Sequence, residues 1–319
     1  MLRLQLCLLG VLAVLSTTPS VAAMAELRIG YQKASVNLLV ARRLSLVEKR
    51  LPGVRIDWVE FTAGPQLLEA LGAGSLDFGM TGDTPPIFAQ AAGRDIVYVG
   101  RETPKPRSSA ILVQNGSGIA SLAALRGKRV AFQRGSSAHY LLLRALEKAG
   151  LRLTDVEPVY LAPADARAAF ERHSVDAWAI WDPYWAAAET GSFAHVLVNG
   201  EGLSDNISFY ESSRAITRDH PEVIDALFGA INEADQYVGA HRSEAAALIA
   251  AGTGLDPKAA LLFLERRQSA PVSVLSPTVV SGQQGIADAF TQAGVIPRHI
   301  EIGAAVWHPP STAPQAAVR

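Results

Sequence analysis

The run Gly135-Ser136-Ser137-Ala138-His139 combines small residues, two hydroxyls and an imidazole at the point where a strand should give way to a helix. Arg129-Val130-Ala131-Phe132 before it is of strand type, and Leu142, Ala145, Leu146 and Ala149 after it recur at helical spacing, with Lys148 and Gly150 suited to the helix end. Such a turn presents unpaired N–H groups, hydroxyls and the positive end of a helix dipole, which is a chemistry for holding an oxyanion. A serine at a helix start serves equally as a plain cap, so the turn takes its meaning from the rest of the chain. Catalysis has little to build on. The chain has no G-x-S-x-G elbow, no H-E-x-x-H pair and no P-loop, and its 7 histidines are scattered without ligand spacing. Ser137, His139 and Asp182 would make a poor triad, because residues two apart at a helix start do not face each other. The expectation from these residues is no catalytic residue, no cofactor and no metal.

The elements that must position this turn alternate strictly. Leu27 to Tyr31 reads as a strand, Leu38 to Leu46 as a helix, Val54 to Val59 as a strand, and Gly64-Pro65 opens a helix that runs to Gly72. Leu76 to Thr81 is a third strand ending at Gly82-Asp83-Thr84-Pro85-Pro86, and Ile96 to Val99 a fourth. The order then repeats: strand 129–132, helix, strand 157–161, helix after Pro163, strand 175–181, helix after Asp182-Pro183, strand 195–198. Ser75-Leu76-Asp77 and Ser174-Val175-Asp176 occupy matching places. This predicts two similar α/β lobes, each with parallel strands flanked by helices. Helical periodicity dominates from Pro221 onward. The chain is expected to enter the second lobe near Ile111-Leu112-Val113 and to return near Phe209 to Arg214, two crossings that make a hinge. Residues 26–112 with 211–308 then form lobe one and 113–210 lobe two, with a cleft at the carboxyl ends of the strands.

The first residues have a basic start, the apolar stretch Leu4 to Leu15, and small residues through Ala25, which predicts a secretory signal peptide over residues 1–25. Cys7, the single cysteine, lies within it, so the exported chain is expected to carry no thiol. A net charge of −1 with mixed signs argues against a nucleic-acid partner. Residues 309–319 read as a disordered polar tail.

Several strings resemble one family. They are Gly30-Tyr31-Gln32-Lys33, Gly64-Pro65-Gln66-Leu67-Leu68-Glu69-Ala70-Leu71, Asp77-Phe78-Gly79 with Thr81-Gly82, Gly135-Ser136 with His139-Tyr140, Pro163-Ala164-Asp165-Ala166-Arg167, and Val175-Asp176-Ala177-Trp178 with Trp181-Asp182-Pro183. From about Leu27 to Trp307 the chain is similar to the periplasmic substrate-binding proteins of aliphatic sulfonate ABC importers. The resemblance implies a two-lobed, type II periplasmic binding protein with mixed, mainly parallel sheets. It also implies a monomer that binds an alkanesulfonate for sulfur acquisition and delivers it to an inner-membrane ABC permease with its ATPase. The ligand contacts it implies are Gln32, Thr81, Gly82, Ser136, Ser137, His139, Trp181, Asp182, Tyr210 and Arg214, with Asp83 standing where the family commonly has Glu. Binders of taurine, nitrate or another small molecule share the lobe plan and form the alternative.

A sulfonate keeps its charge at physiological pH and has no proton to donate, so its pocket is expected to offer uncharged donors. Asp83 and Asp182 are therefore expected at the cleft rim or beside the organic tail, and each also stands where the next helix would take its N-cap. Trp181, Tyr31 and Tyr184 are candidates to wall the tail. Lys33 and Arg134 are expected to steer anions inward.

Overall fold

The computed structural model describes residues 24–310. Residues 1–23 of the expected signal peptide and residues 311–319 of the expected tail lie outside the described residues. The chain opens with β1 (Glu26–Tyr31), α1 (Val36–Arg43), α2 (Leu46–Arg50), β2 (Arg55–Glu60), α3 (Gly64–Gly72), β3 (Phe78–Gly82), α4 (Thr84–Ala91) and β4 (Val97–Arg101). The run expected as one helix from Leu38 breaks at Ser45, whose φ of 52° is left-handed and ends α1 before α2 begins. The second unit comprises β5 (Ser109–Gln114), β6 (Arg129–Phe132), α5 (Ser137–Lys148), β7 (Glu157–Tyr160), α6 (Pro163–Glu171), β8 (Ala177–Trp181), α7 (Tyr184–Thr190) and β9 (Ala194–Asn199). There follow β10 (Ser208–Ser212), α8 (Arg214–Asp219), α9 (Pro221–Ala240), α10 (Arg242–Thr253), α11 (Pro257–Arg266) and α12 (Pro277–Gln292).

Two five-stranded sheets result, ordered β2-β1-β3-β10-β4 and β7-β6-β8-β5-β9. In the first, β1 pairs parallel with β2 and β3, while β10 lies antiparallel between β3 and β4. In the second, β6 pairs parallel with β7 and β8, while β5 lies antiparallel between β8 and β9. Each crossing thus delivers an antiparallel strand into the sheet it enters. Both β5 and β10 belong whole to their new sheets, so the chain leaves the first sheet after Arg101 and returns before Ser208. The turnover points lie a few residues ahead of those expected at 112 and 210.

The repeated triplets have one structural job. Asp77 accepts from the Arg28 backbone N–H at 2.8 Å and from its guanidinium at 2.9 and 2.8 Å, pinning β3 to β1. Asp176 does the same for Arg129, at 2.7 Å from the backbone and 3.3 and 3.1 Å from the side chain, pinning β8 to β6.

Each sheet buries its own core. Leu27, Ile29 and Phe78 of the first lie under Leu227, Ile231 and Phe263 of the late helices, so most of the helical block covers lobe one. Phe132, Phe170 and Trp178 anchor the second, where each buried aromatic contributes about 1.5–3 kcal/mol relative to exposure. A further cluster joins Tyr98, Phe209 and Phe290 of lobe one to Leu143 of α5, so the lobes touch through apolar side chains as well as polar ones.

Candidate functional site

The carboxyl ends of β1, β3, β6 and β8 face one another across the gap between the sheets, and a cavity of about 50 Å³ lies there. Roughly 10–15 Å³ of such space holds one water, so the cavity has room for a tetrahedral oxyanion. Gln32 after β1, Gly82 at the end of β3, Ser136 and Ser137 at the start of α5, and Trp181 and Asp182 at the end of β8 all line it.

The lobes meet very closely at one point. A Cβ added to Gly82 would lie 2.1 Å from Ser137 Oγ, so the backbone of one lobe lies against the hydroxyl of the other with no room for a side chain. Ser137 occupies the first position of α5, where its N–H has no intrahelical acceptor. Ser136 Oγ donates to the Gln133 carbonyl at 2.7 Å. Gln32 Nε2 donates to the Met80 carbonyl at 2.9 Å, and a primary amide has a second N–H to offer. Trp181, Met80, Ala34 and Phe263 supply the apolar wall. Tyr31 and Tyr184 do not line the cavity; Tyr31 packs against Trp58 and Arg42, and Tyr184 edges onto Trp181.

Several expected contacts lie elsewhere. His139 is fully buried between Phe88, Phe132 and Phe290, and its Nδ1 accepts the Gly135 N–H at 3.3 Å. Burial, joined by the charge of Arg134, lowers its pKa to about 3, so the ring is neutral and acts as an acceptor. It holds the left-handed turn at Gly135 (φ 73°) in place instead of donating to a ligand. Thr81 points into the sheet, donating to Glu211 at 2.7 Å. Tyr210 is also interior: its hydroxyl donates to Glu102 at 2.9 Å and its ring stacks on Phe78. Arg214 is at the wrong end of the sheet. Because β10 runs antiparallel, Ser208 pairs with Gly82 at the cavity while Ser212 pairs with Phe78 at the far end, and Arg214 beyond it binds Asp95 on the surface at 2.9 Å.

Neither aspartate lies at the rim. Asp182 is buried, accepts the Ala186 N–H of α7 at 2.9 Å, and receives Arg266 at 3.0 and 3.3 Å. Burial pushes its pKa up to about 7, with Arg266 opposing. Asp83 is also buried. Its Oδ1 accepts from Thr84 at 2.9 Å, and it lines a separate groove beside Tyr140 and Gln283. Burial raises its pKa as well, against the hydroxyls of Ser137 and Thr84.

The expectation of uncharged donors needs a further correction. Lys105 and Arg267 line the cavity within one ion-pair network, Arg267 buried and Lys105 half-buried. Lys105 Nζ donates to Glu102 at 3.0 Å and to Ser208 at 2.6 Å, which leaves one of its three N–H groups. Arg267 lies 3.2 Å from Asp235 and 3.5 Å from Glu102. Burial opposes ionisation of Glu102, but Lys105 and Arg267 outweigh it and hold its pKa below the usual range. Lys33 and Arg134 are spent differently: Lys33 donates to the Thr253 carbonyl at 2.7 Å, and Arg134 lies over the Tyr160 ring.

The chain is 46% identical over 309 residues to an aliphatic sulfonates-binding protein of Escherichia coli K12, an alignment that spans 96% of each chain. The chain belongs to the family of aliphatic sulfonate-binding proteins. The solved structures agree. The alkanesulfonate-binding protein SsuA from Xanthomonas axonopodis pv. citri, bound to MOPS, matches with a TM-score of 0.87 and 46% identity over 90% of this chain and 99% of that one. The periplasmic aliphatic sulphonate binding protein SsuA from Escherichia coli matches with a TM-score of 0.83 and 46% identity, covering 90% of this chain and 93% of that one. A family model described as NMT1/THI5 like matches residues 51–245. In this member of the sulfonate-binding family, Lys105, Ser108, Asn206 and Ser208 come from the two crossings and Arg267 from the end of α11. Their one sequence signal was the pair of charges in Glu102-Thr103-Pro104-Lys105-Pro106, a stretch too proline-rich for a helix or an inner strand.

Proposed function

We propose that this chain is the periplasmic receptor of an ABC importer, which closes on an aliphatic sulfonate and hands it unaltered to an inner-membrane permease and its ATPase. The observation that carries the reading is the interlobe cavity. It combines donors at the cavity wall, a half-buried ammonium with one N–H to spare, and an apolar wall for a short tail. In this reading the sulfonate oxygens take the Ser137 N–H, the second N–H of Gln32 and the third N–H of Lys105. Trp181, Met80 and Phe263 face the alkyl group. The carboxyls nearby do not oppose an anion in full measure, because Arg266 offsets the charge of Asp182 and burial favours the neutral form of Asp83. Residues 1–25 act as the export signal, and the lobes comprise 26–108 with 208–308 and 109–207. In this reading the ligand is held and released without covalent change.

Calorimetry tests this directly, with methane- through octanesulfonate, taurine, sulfate and nitrate as titrants. The expected result is heat with the alkanesulfonates, strongest for the short chains that a 50 Å³ cavity admits. Heat with sulfate or nitrate and none with any sulfonate would overturn the reading.

A further inference from the structure

The Arg266 side chain at the end of α11 makes a set of contacts that no ligand requires. The helix packs on lobe one through Phe263 and Leu264, yet the guanidinium reaches the second lobe. Its Nη1 lies 3.0 and 3.3 Å from the two oxygens of Asp182, its Nη2 bonds Glu189, and its central carbon sits 3.6 Å from the centroid of the Trp185 ring. Asp182 is fully buried, and Arg266 keeps only 12% of its side-chain surface exposed. We propose that Arg266 is a positioning residue, a clasp that fastens α11 to α7 and so holds the lobes closed over the cavity.

Three features point to a clasp instead of an ordinary surface ion pair. The pair is buried on its Asp182 side, where water competes poorly, whereas exposed pairs contribute little. The geometry uses everything peculiar to guanidinium, with one edge on carboxylates and one face on an indole, which an ammonium cannot do at once. Finally, Asp182 is itself a cavity-lining residue that follows Trp181, so the clasp engages the wall of the site and not a remote part of lobe two. Parting the lobes breaks both the ion pair and the stacking together.

The clasp rests on the proposed function only for the identity of the ligand, and the test keeps the two apart. Cys7→Ser removes the one native cysteine, and Gln66→Cys on α3 with Ala164→Cys on α6 introduces spin labels at exposed positions of opposite lobes. Interlobe distances are then measured with and without saturating methanesulfonate, for this background and for added Arg266→Met, Arg266→Lys and Glu189→Gln. Ligand release is timed in parallel. The expected result is that R266M loses most of the short-distance population wherever the parent has it and releases ligand on the order of tenfold faster or more. R266K recovers part of this, and E189Q, half exposed, shifts it slightly in the same direction even should R266M fold poorly. Equal short-distance populations in parent and variants, or a parent without a short distance in either condition, would overturn the clasp. A parent that does not respond to methanesulfonate would instead count against the sulfonate reading, and its unliganded distances still decide the clasp.

Discussion

Gly82→Ala is the sharpest single perturbation available. The new Cβ would stand 2.1 Å from Ser137 Oγ, more than an ångström inside ordinary contact, and the two residues belong to different lobes. Gly82 does not have the left-handed backbone that would itself resist alanine. The cost therefore falls on closure and not on folding. Overpacking of this kind costs about 1–3 kcal/mol, or about fivefold to a hundredfold in Kd, the lower end applying if the Ser137 hydroxyl can rotate away. Ser137→Ala removes the clashing atom, and the next, Ser137 Cβ, is at 3.4 Å, an ordinary contact. The double variant should thus bind about as well as S137A alone, which gives a coupling energy of about 1–3 kcal/mol between the two sites. Calorimetry with methanesulfonate on all four proteins measures the cycle, and thermal unfolding without ligand should give G82A the wild-type midpoint. Wild-type affinity in G82A, strictly additive losses, or a lowered unliganded midpoint would each refute the placement of Gly82 against Ser137 in the closed form.

Other expectations follow from the buried groups. Burial holds Asp182 at about 7 against an ordinary 3.8, so the folded chain binds that proton more tightly than the unfolded one. Its stabilising contribution is complete below about pH 4 and is lost as pH rises through about 7, so Asp182→Asn should flatten the fall of the unfolding midpoint over that window; parallel curves would contradict this. His139→Phe keeps the ring packing but removes the acceptor for the Gly135 N–H. Affinity should drop by about 1 kcal/mol, while its pH dependence between about 5 and 8 stays that of the wild type because the native ring is already neutral; a changed profile would show that His139 titrates there. Replacing Lys105 by Met together with Glu102→Gln removes that charge pair as a unit and leaves Arg267 paired with Asp235, which spares the fold an unbalanced buried charge. Sulfonate affinity should then fall on the order of tenfold or more, and an unchanged value would exclude Lys105 as an anion donor.

Much of the fold was legible because it rests on local signals. The parallel strands ended where small residues and Asp-Pro or Gly-Pro pairs began, and the echo of Asp77 in Asp176 turned out to be the same arginine-binding device in each lobe. Gln32, Gly82, Ser136, Ser137, Trp181 and Asp182 all reach the cavity because they sit at carboxyl ends of strands or at helix starts, places that the pattern reveals. What escaped was set by strand direction and by long-range pairing. The antiparallel course of β10 sends Arg214 away from the cleft, a fact that apolar alternation does not encode. Lys105 and Arg267 are charged residues that the sequence would place at the surface, and only the meeting of a crossing with α9 and α11 supplies Glu102 and Asp235 to draw them inward. His139 looked like a ligand donor because its aromatic neighbours, Phe88 and Phe290, come from other parts of the chain.

The central claim is that a sulfonate sits between the lobes, held by the α5 turn on one side and the Lys105 crossing on another. A crystal structure with methanesulfonate tests it most directly. The expected density is a tetrahedral head within hydrogen-bonding distance of the Ser137 N–H and of Lys105 Nζ, with its methyl group toward Trp181. Density in the groove beside Asp83 and Gln283, or an interlobe cavity left without it at saturating ligand, would contradict the account.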